Sequence, residues 1–270
     1  MRDIHRIFVL LAVVLAAACA QGAELSSAAR VAFDRYIAQV ESRLDQQHRS
    51  AASFLHFNPE NQQEPEAKLR DGKLFVEKYI AGKPVAGAMI HHWSGTIFIP
   101  GATTADFLRL VQDYDHLSLY YKPQVISSHL LSRSGNRFWV AMRLQQHRVI
   151  TVVLDTEFEV TYGALDQTHG YSTSRSTQVS EIVNAGRPDE HALEHGSDHG
   201  FLWRLNSYWS FIERPDGLIV QCEAVSLTRD IPHGLGWLLE PFIQSIPRES
   251  LEFTLTSTRN GLSHRRNYVK

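Results

Sequence analysis

"HHWSGTIFIPGATTADFLRLVQDYDHLSLYYKPQV", His91 to Val125, changes its period halfway along. From about Met89 to Ile99 the residues suit a strand, which Pro100-Gly101 stops. Thr104 then caps a helix in which Phe107, Leu108 and Val111 share one face. A second short helix around His116 to Tyr120 ends before Pro123.

The chain on either side extends this pattern. Before it, Val31, Phe33, Tyr36, Ile37, Val40 and Leu44 recur at helical spacing between Leu25 and His48, which predicts an amphipathic helix. "NPENQQEPEAK" reads as a loop, and the Asp71-Gly72 turn leads into a strand. After it come strand-like runs at "QVISSHLLSRSGNRFWVAMRL", "RVITVVLDTEFEVTYG", "YSTSRSTQVSEIV", "GFLWRLNSYWSFIE" and "GLIVQCEAVSLTRD". Gly- and Pro-containing turns separate them. The end is helical, with Pro247 near a start and Gly261 placed as a stop. Strand, paired helices, antiparallel strands and a long helix form an α+β order that encloses a cavity.

Three segments carry a resemblance: the opening stretch, "TVVLDTEFEV" at 151–160, and "TRDIPHGLGWLLEPFIQSIPRESLEFTL" at 228–255. Together they resemble the START-like (SRPBCC) superfamily, the helix-grip fold, and exported bacterial members most of all. The resemblance covers roughly residues 90 to 260. It implies a curved antiparallel sheet around a long C-terminal helix, with a deep cavity for a lipid, sterol, polyketide or other hydrophobic ligand. Some members of the superfamily are cyclases or hydrolases, and many only bind and carry. The expected organisation is a signal peptide over 1–20, a helix-and-strand extension over 21–88 and the START-like domain over 89–262.

Composition narrows the functions. The 270 residues carry a formal net charge of −2, so no global field draws nucleic acid or anionic lipid. "MRDIHRIFVLLAVVLAAACAQGAE" has Arg2 and Arg6, an apolar run from Ile7 to Ala18, then small residues, which is the order of a secretory signal. That run is too short for a bilayer span, which takes about 20 residues. Cleavage after Ala20 predicts a periplasmic or secreted protein; the alternative is a lipoprotein signal that acylates Cys19. Of the two cysteines, Cys19 lies in the signal, so the mature chain forms no internal disulfide. Cys222, among apolar neighbours, reads as a buried thiol.

Strand parity selects the residues facing the cavity. The apolar parities supply Phe138, Met142, Leu154, Phe158, Tyr162, Trp203, Leu205, Trp209, Val220 and Cys222 as the ligand-binding set. The opposite parity carries Arg143, Glu157, Arg175, Arg204 and Glu223, read as a solvated ladder of charge unless the N-terminal extension covers it. His91 and His92 point to opposite faces. The function implied is binding or carriage of a hydrophobic small molecule or lipid, with no cofactor. The alternative is a polyketide cyclase- or hydrolase-like enzyme acting in the same cavity; it needs a titratable group on the apolar face, where Tyr162 is the clear one.

"RPDEHALEHGSDHG", residues 187–200, sets His191, His195 and His199 four apart among acids. On a helix the first two would share a metal. Gly196 and Gly200 end any such helix, so the segment reads as a polar connection, suited to a lid, and no metal is assigned. No Gly-x-Ser-x-Gly elbow or phosphate-cradling glycine loop occurs.

Overall fold

In α1 (Ser27–Gln47) the residues Ala29, Phe33, Ile37, Val40 and Leu44 form one buried stripe, while Val31, off the stripe, is exposed. Ser26 caps the helix by accepting from the Ala29 amide. The computed structural model describes residues 24–57, 65–147, 150–194, 196–230 and 236–267. The signal-like segment with Cys19, and His195, lie outside these.

The elements that follow are α2 (Pro65–Arg70), β1 (Phe75–Val85), β2 (Ala88–Pro100), α3 (Thr104–Val111) and α4 (Leu117–Tyr120). Then come β3 (Val125–Ser134), β4 (Arg137–His147), β5 (Thr151–Ala164), β6 (His169–Val183), β7 (His191–Ala192), β8 (Arg204–Arg214), β9 (Gly217–Arg229) and α5 (Gly236–Asn267). The strands form one antiparallel sheet in the order β1-β2-β9-β8-β6-β5-β4-β3, with the short β7 on β6. The sheet closes on α5, giving the α+β helix-grip arrangement expected from the sequence.

Local chemistry moves some boundaries. The cap of α3 is Thr103 rather than Thr104, because Asp106 stands three residues on and returns the bond to the Thr103 amide. Pro65 opens α2 inside the segment read as a loop; proline suits a first helical turn, where its missing N–H has no partner to lose. Pro247 and Gly261 neither start nor stop a helix, since α5 is continuous through both. Gly261 is there for close approach: a Cβ would lie 2.8 Å from Leu110 Cδ1 and 3.1 Å from Tyr120 Cδ1.

Both faces of the central strands are covered. On the inner face Leu251, Leu255 and Leu262 of α5 meet Phe107, Leu110, Phe138, Val140, Phe158, Phe211, Leu218 and Val220. On the outer face the α1 stripe packs on Ala88, Ile90, Tyr208, Val225 and Leu227. Leu69 of α2 covers Phe98 and Ile219 beside it. Burial on two sides explains the consecutive apolar residues Ile97-Phe98-Ile99 and Leu218-Ile219-Val220.

Helix α5 sits closest to the sheet over Gly95, whose built Cβ would fall 2.4 Å from Leu255 Cδ1 and 3.3 Å from two Leu251 atoms. Leu255 is fully buried and has little room to turn away. Gly95→Ala is therefore expected to lower stability by about 1–3 kcal/mol through overpacking, read as a lower urea midpoint at unchanged slope.

Candidate functional site

Register places small residues at the centre of the inner face. Trp93 lies opposite Ala224, Ala224 opposite Ser207, and Ser207 opposite Ser174. All four sit on interior strands, yet each is only half-buried. Protein interiors are close-packed, so a sheet centre under a tightly seated helix would be shut off from solvent. The small side chains leave this part of the face incompletely covered. Trp93, Met142, Leu205, Trp209 and Phe253 stand half-buried around it, at the margin of the packed cluster.

Three residues of the inner-face parity hold buried polar atoms without protein partners. His91, opposite Ser226, is completely buried; its Nε2 lies 3.2 Å from Thr228 Oγ1, and its Nδ1 has no hydrogen-bond partner. Trp93 Nε1 and Ser128 Oγ are likewise unpartnered. Burial lowers the His91 pKa to about 4, so the ring is neutral near pH 7. A buried polar atom left without a partner costs about 1–3 kcal/mol, which a bound group would recover.

Of the residues selected from sequence, Phe138, Phe158, Tyr162, Val220 and Cys222 belong to the packed inner cluster. Met142, Leu205 and Trp209 stand at its half-buried margin, and Leu154 is buried farther along the same face. Trp203 departs from the set. It precedes β8, where strand alternation does not yet apply, and packs with the outer α1 cluster while its Nε1 donates to Asp198 Oδ1 at 2.8 Å. Tyr162 is committed to Tyr114, hydroxyl to hydroxyl at 2.7 Å, and burial holds its pKa well above the usual value. Burial likewise pushes the Cys222 thiol up, away from reactivity. His91, Trp93, Ser128 and the small central residues were not selected. The recurrence of Ser172, Ser174 and Ser176 at one parity was the available signal for a face neither wholly apolar nor solvated.

The outer face holds a second polar cluster, and it takes Glu223 out of the expected solvated ladder, while Glu157 and Arg175 stay exposed. Glu223, almost fully buried, accepts from His92 Nε2 at 2.9 Å and from Arg43 of α1. His92 Nδ1 meets Tyr36 Oη of α1 at 2.7 Å, and Tyr79 stacks on the imidazole at 4.5 Å. Burial pulls the Glu223 pKa upward, but the His92 bond and the Arg43 charge outweigh it and leave it below the ordinary carboxylate value. Arg175 is taken by Glu41 of α1 at 2.7 Å, and Glu41 also accepts from Tyr208. Arg143, beyond the reach of α1, pairs with Asp155 and Glu190, while Glu157 is exposed. Helix α1 thus withdraws Glu223 from water and gives the exposed Arg175 a partner.

The histidine-rich connection is tied down through carboxylates. His199 Nδ1 lies 2.8 Å from Glu181 Oε2, and the Phe201 amide donates to Glu181 Oε1. His191 is exposed, with Nδ1 2.9 Å from the Asp189 carbonyl oxygen. Among the described residues, no three His, Cys, Asp or Glu side chains come together to hold a metal ion. The connection borders a small apolar cleft of about 190 Å³ with Ile150, Val152, Val183 and Leu193. A groove of about 390 Å³ is lined by Ala141, Met142, Arg143, Asp155, Glu157 and Gln178, a mixed polar and apolar set. Among the described residues, no helix is long and apolar enough to cross a membrane.

The fold is START-like. No protein-family model matches this chain, and no curated protein matches it in sequence. Among solved structures, a Thermus thermophilus protein is similar at 18% identity and TM-score 0.47, covering 64% of this chain and 97% of its own. A STAR-related lipid transfer protein from Xanthomonas axonopodis is similar at 19% identity and TM-score 0.45, covering 68% and 98%. The Zhui aromatase/cyclase from a Streptomyces species is similar at 11% identity and TM-score 0.44, covering 65% and 95%.

Two stability measurements test this description. Glu223→Ala strands His92 and Arg43 beneath α1, and is expected to cost about 3–5 kcal/mol in urea unfolding. The second is pH dependence. Burial lowers both His48 and His91 from 6.5 to about 4. Below pH 6.5 the unfolded chain takes up protons that the folded chain refuses, so stability falls as pH drops from about 6.5 towards 4. The urea midpoint should be level above pH 7 and decline through that window, and His48→Gln should flatten part of the decline.

Proposed function

We propose that this protein binds a hydrophobic small molecule or lipid in the hollow between the inner face of the sheet and α5. The observation that carries the reading is the half-buried centre of that face, floored by Ala224, Ser207 and Ser174 and walled by Trp93, Leu205 and Trp209. Affinity would come from burial, at roughly 25 cal/mol per Å² of apolar ligand surface, and the unpartnered polar atoms would set orientation. The signal-like N terminus supports export to the periplasm or beyond, with acylation of Cys19 as the alternative processing. In that compartment the binding would serve carriage.

A second reading, a polyketide cyclase- or hydrolase-like enzyme, draws on one observation: His91, on the inner-face parity of β2 and kept neutral near pH 7 by burial, has a ring nitrogen without a protein partner. An imidazole in that state can accept a proton from a bound substrate. Tyr162, tied to Tyr114, lends it no support.

Mass spectrometry of an organic extract from the purified protein, beside a matched blank, is the direct test. A hydrophobic compound at near one per chain is expected. An extract matching the blank, together with no saturable uptake of a fluorescent fatty-acyl probe, would overturn the reading.

A further inference from the structure

The cleft beside the histidine-rich connection holds an accessible polar group that the inner-face reading does not use. We infer that this cleft is a second site, for a small apolar molecule whose polar end donates a hydrogen bond to His199 Nε2. Its walls come from strands β5 and β6 and from the connection itself. Strand β6 pairs Ile182 with Val153 of β5 and Val183 with His191 of β7, and the Leu193 amide then donates to the Glu181 carbonyl oxygen. Ile150, Val152, Val183, Leu193 and Phe201 are thereby gathered around a space of about 190 Å³, each only half-buried. The chain returns to the cleft at His199, whose ring lies beside that of Phe201, centroids 5.5 Å apart. Apolar walls with a few placed polar groups are the usual makeup of a small-molecule site.

Hydrogen bonding fixes what the polar group offers. The buried Glu181 carboxylate accepts three donors from the returning chain: the His199 amide at 3.0 Å, His199 Nδ1 at 2.8 Å and the Phe201 amide at 3.0 Å. A carboxylate only accepts, so in the neutral ring Nδ1 carries the proton and Nε2 the lone pair. The His199 side chain is 30% exposed, and its Nε2 has no protein partner and is not closed off from solvent. Glu181, taken on both oxygens, offers a ligand nothing further, and the Thr151 hydroxyl is engaged by His147. The polar demand of the cleft is therefore for a donor. A hydroxyl meets it; an ether or a carboxylate, which can only accept, does not.

The ring nitrogens report on this directly. In long-range proton–nitrogen correlation spectra of the purified, delipidated protein near pH 8, above the ordinary histidine value, His199 is expected to show a protonated Nδ1 and a bare Nε2. Titration with 1-hexanol should shift Nε2 together with the methyl signals of Val152, Val183 and Leu193, and saturate. Its isomer methyl pentyl ether should move the methyls with about fivefold lower affinity, the contribution of one hydrogen bond, and leave Nε2 unmoved. Hexanoate should bind no better than the ether. His199→Phe should bring hexanol down to the affinity of the ether. A proton on Nε2 in the free protein overturns the inference. So does equal affinity for hexanol and the ether, a hexanol preference that survives His199→Phe, or tightest binding of hexanoate. Cleft methyls that none of the three probes moves sink the site altogether. Should His199→Phe fail to fold, the wild-type nitrogen shifts and affinity ratio decide. The signals read are those of the cleft, so an organic extract matching its blank would leave this result standing.

Discussion

A carboxylate taken out of water must be met by hydrogen bonds and opposite charge, and Glu223 meets both at the junction of α1 and the sheet. Much of the molecule follows from that junction. It orients His92, aligns Tyr36 and Arg43 of α1, and stacks Tyr79 over them. The helix is thereby registered on the outer face while its apolar stripe supplies the bulk of the adhesion. With α1 and α2 in place, the outer side of β2, β9 and β8 is closed. The inner side is the one left with an incomplete lining.

The two faces differ in how they are finished. Outside, many polar groups are answered by polar groups: Glu41 by Arg175 and Tyr208, Gln221 by Thr96 and the His56 backbone, His48 by Ser210, although Tyr79 Oη, Ser94 Oγ and Glu223 Oε1 have no partner. Such matching rigidifies the contact with α1. Inside, large apolar side chains fill the end near α3 and α4, but the middle is built from serine and alanine, with His91, Trp93 and Ser128 still carrying unanswered polar atoms. The faces differ in cover: α1 packs over the outer one, while the centre of the inner one stays half-buried. The outer cluster is richer in titratable groups, but it is occupied by the protein's own helix.

The fold was legible in the sequence because its signals are local. Period 2 in the strands, the turn residues between them and the change of period at Thr103 all act over a few residues. Strand parity also sorted most of the inner face correctly, from Phe138 through Cys222, and failed at Trp203, where the strand had not begun. The fate of Glu223 was not legible, because nothing in "LIVQCEAVSL" says that a helix from the far end of the chain covers it. The clue was indirect: three apolar residues in a row, Leu218 to Val220, demand cover on both sides. The hollow was harder still. Selecting the largest apolar residues finds the walls of such a site, while its floor is made of the smallest ones.

The bond from Arg43 to Glu223 joins residues 180 positions apart. Helix α1 is among the first elements of the described chain to be synthesised, and β9, which carries its main anchor, is nearly the last. Until β9 is complete, the apolar stripe of α1 has no finished surface to cover, and loop closure of this length is slow against local helix formation. The outer clamp therefore forms only after both α1 and β9 are in place. A chain cut short before β9 has an unpaired amphipathic helix, a sheet missing its centre and no closed inner face, a state that chaperones and proteases recognise readily. The same link that seats the helix makes the closed sheet depend on segments 180 positions apart.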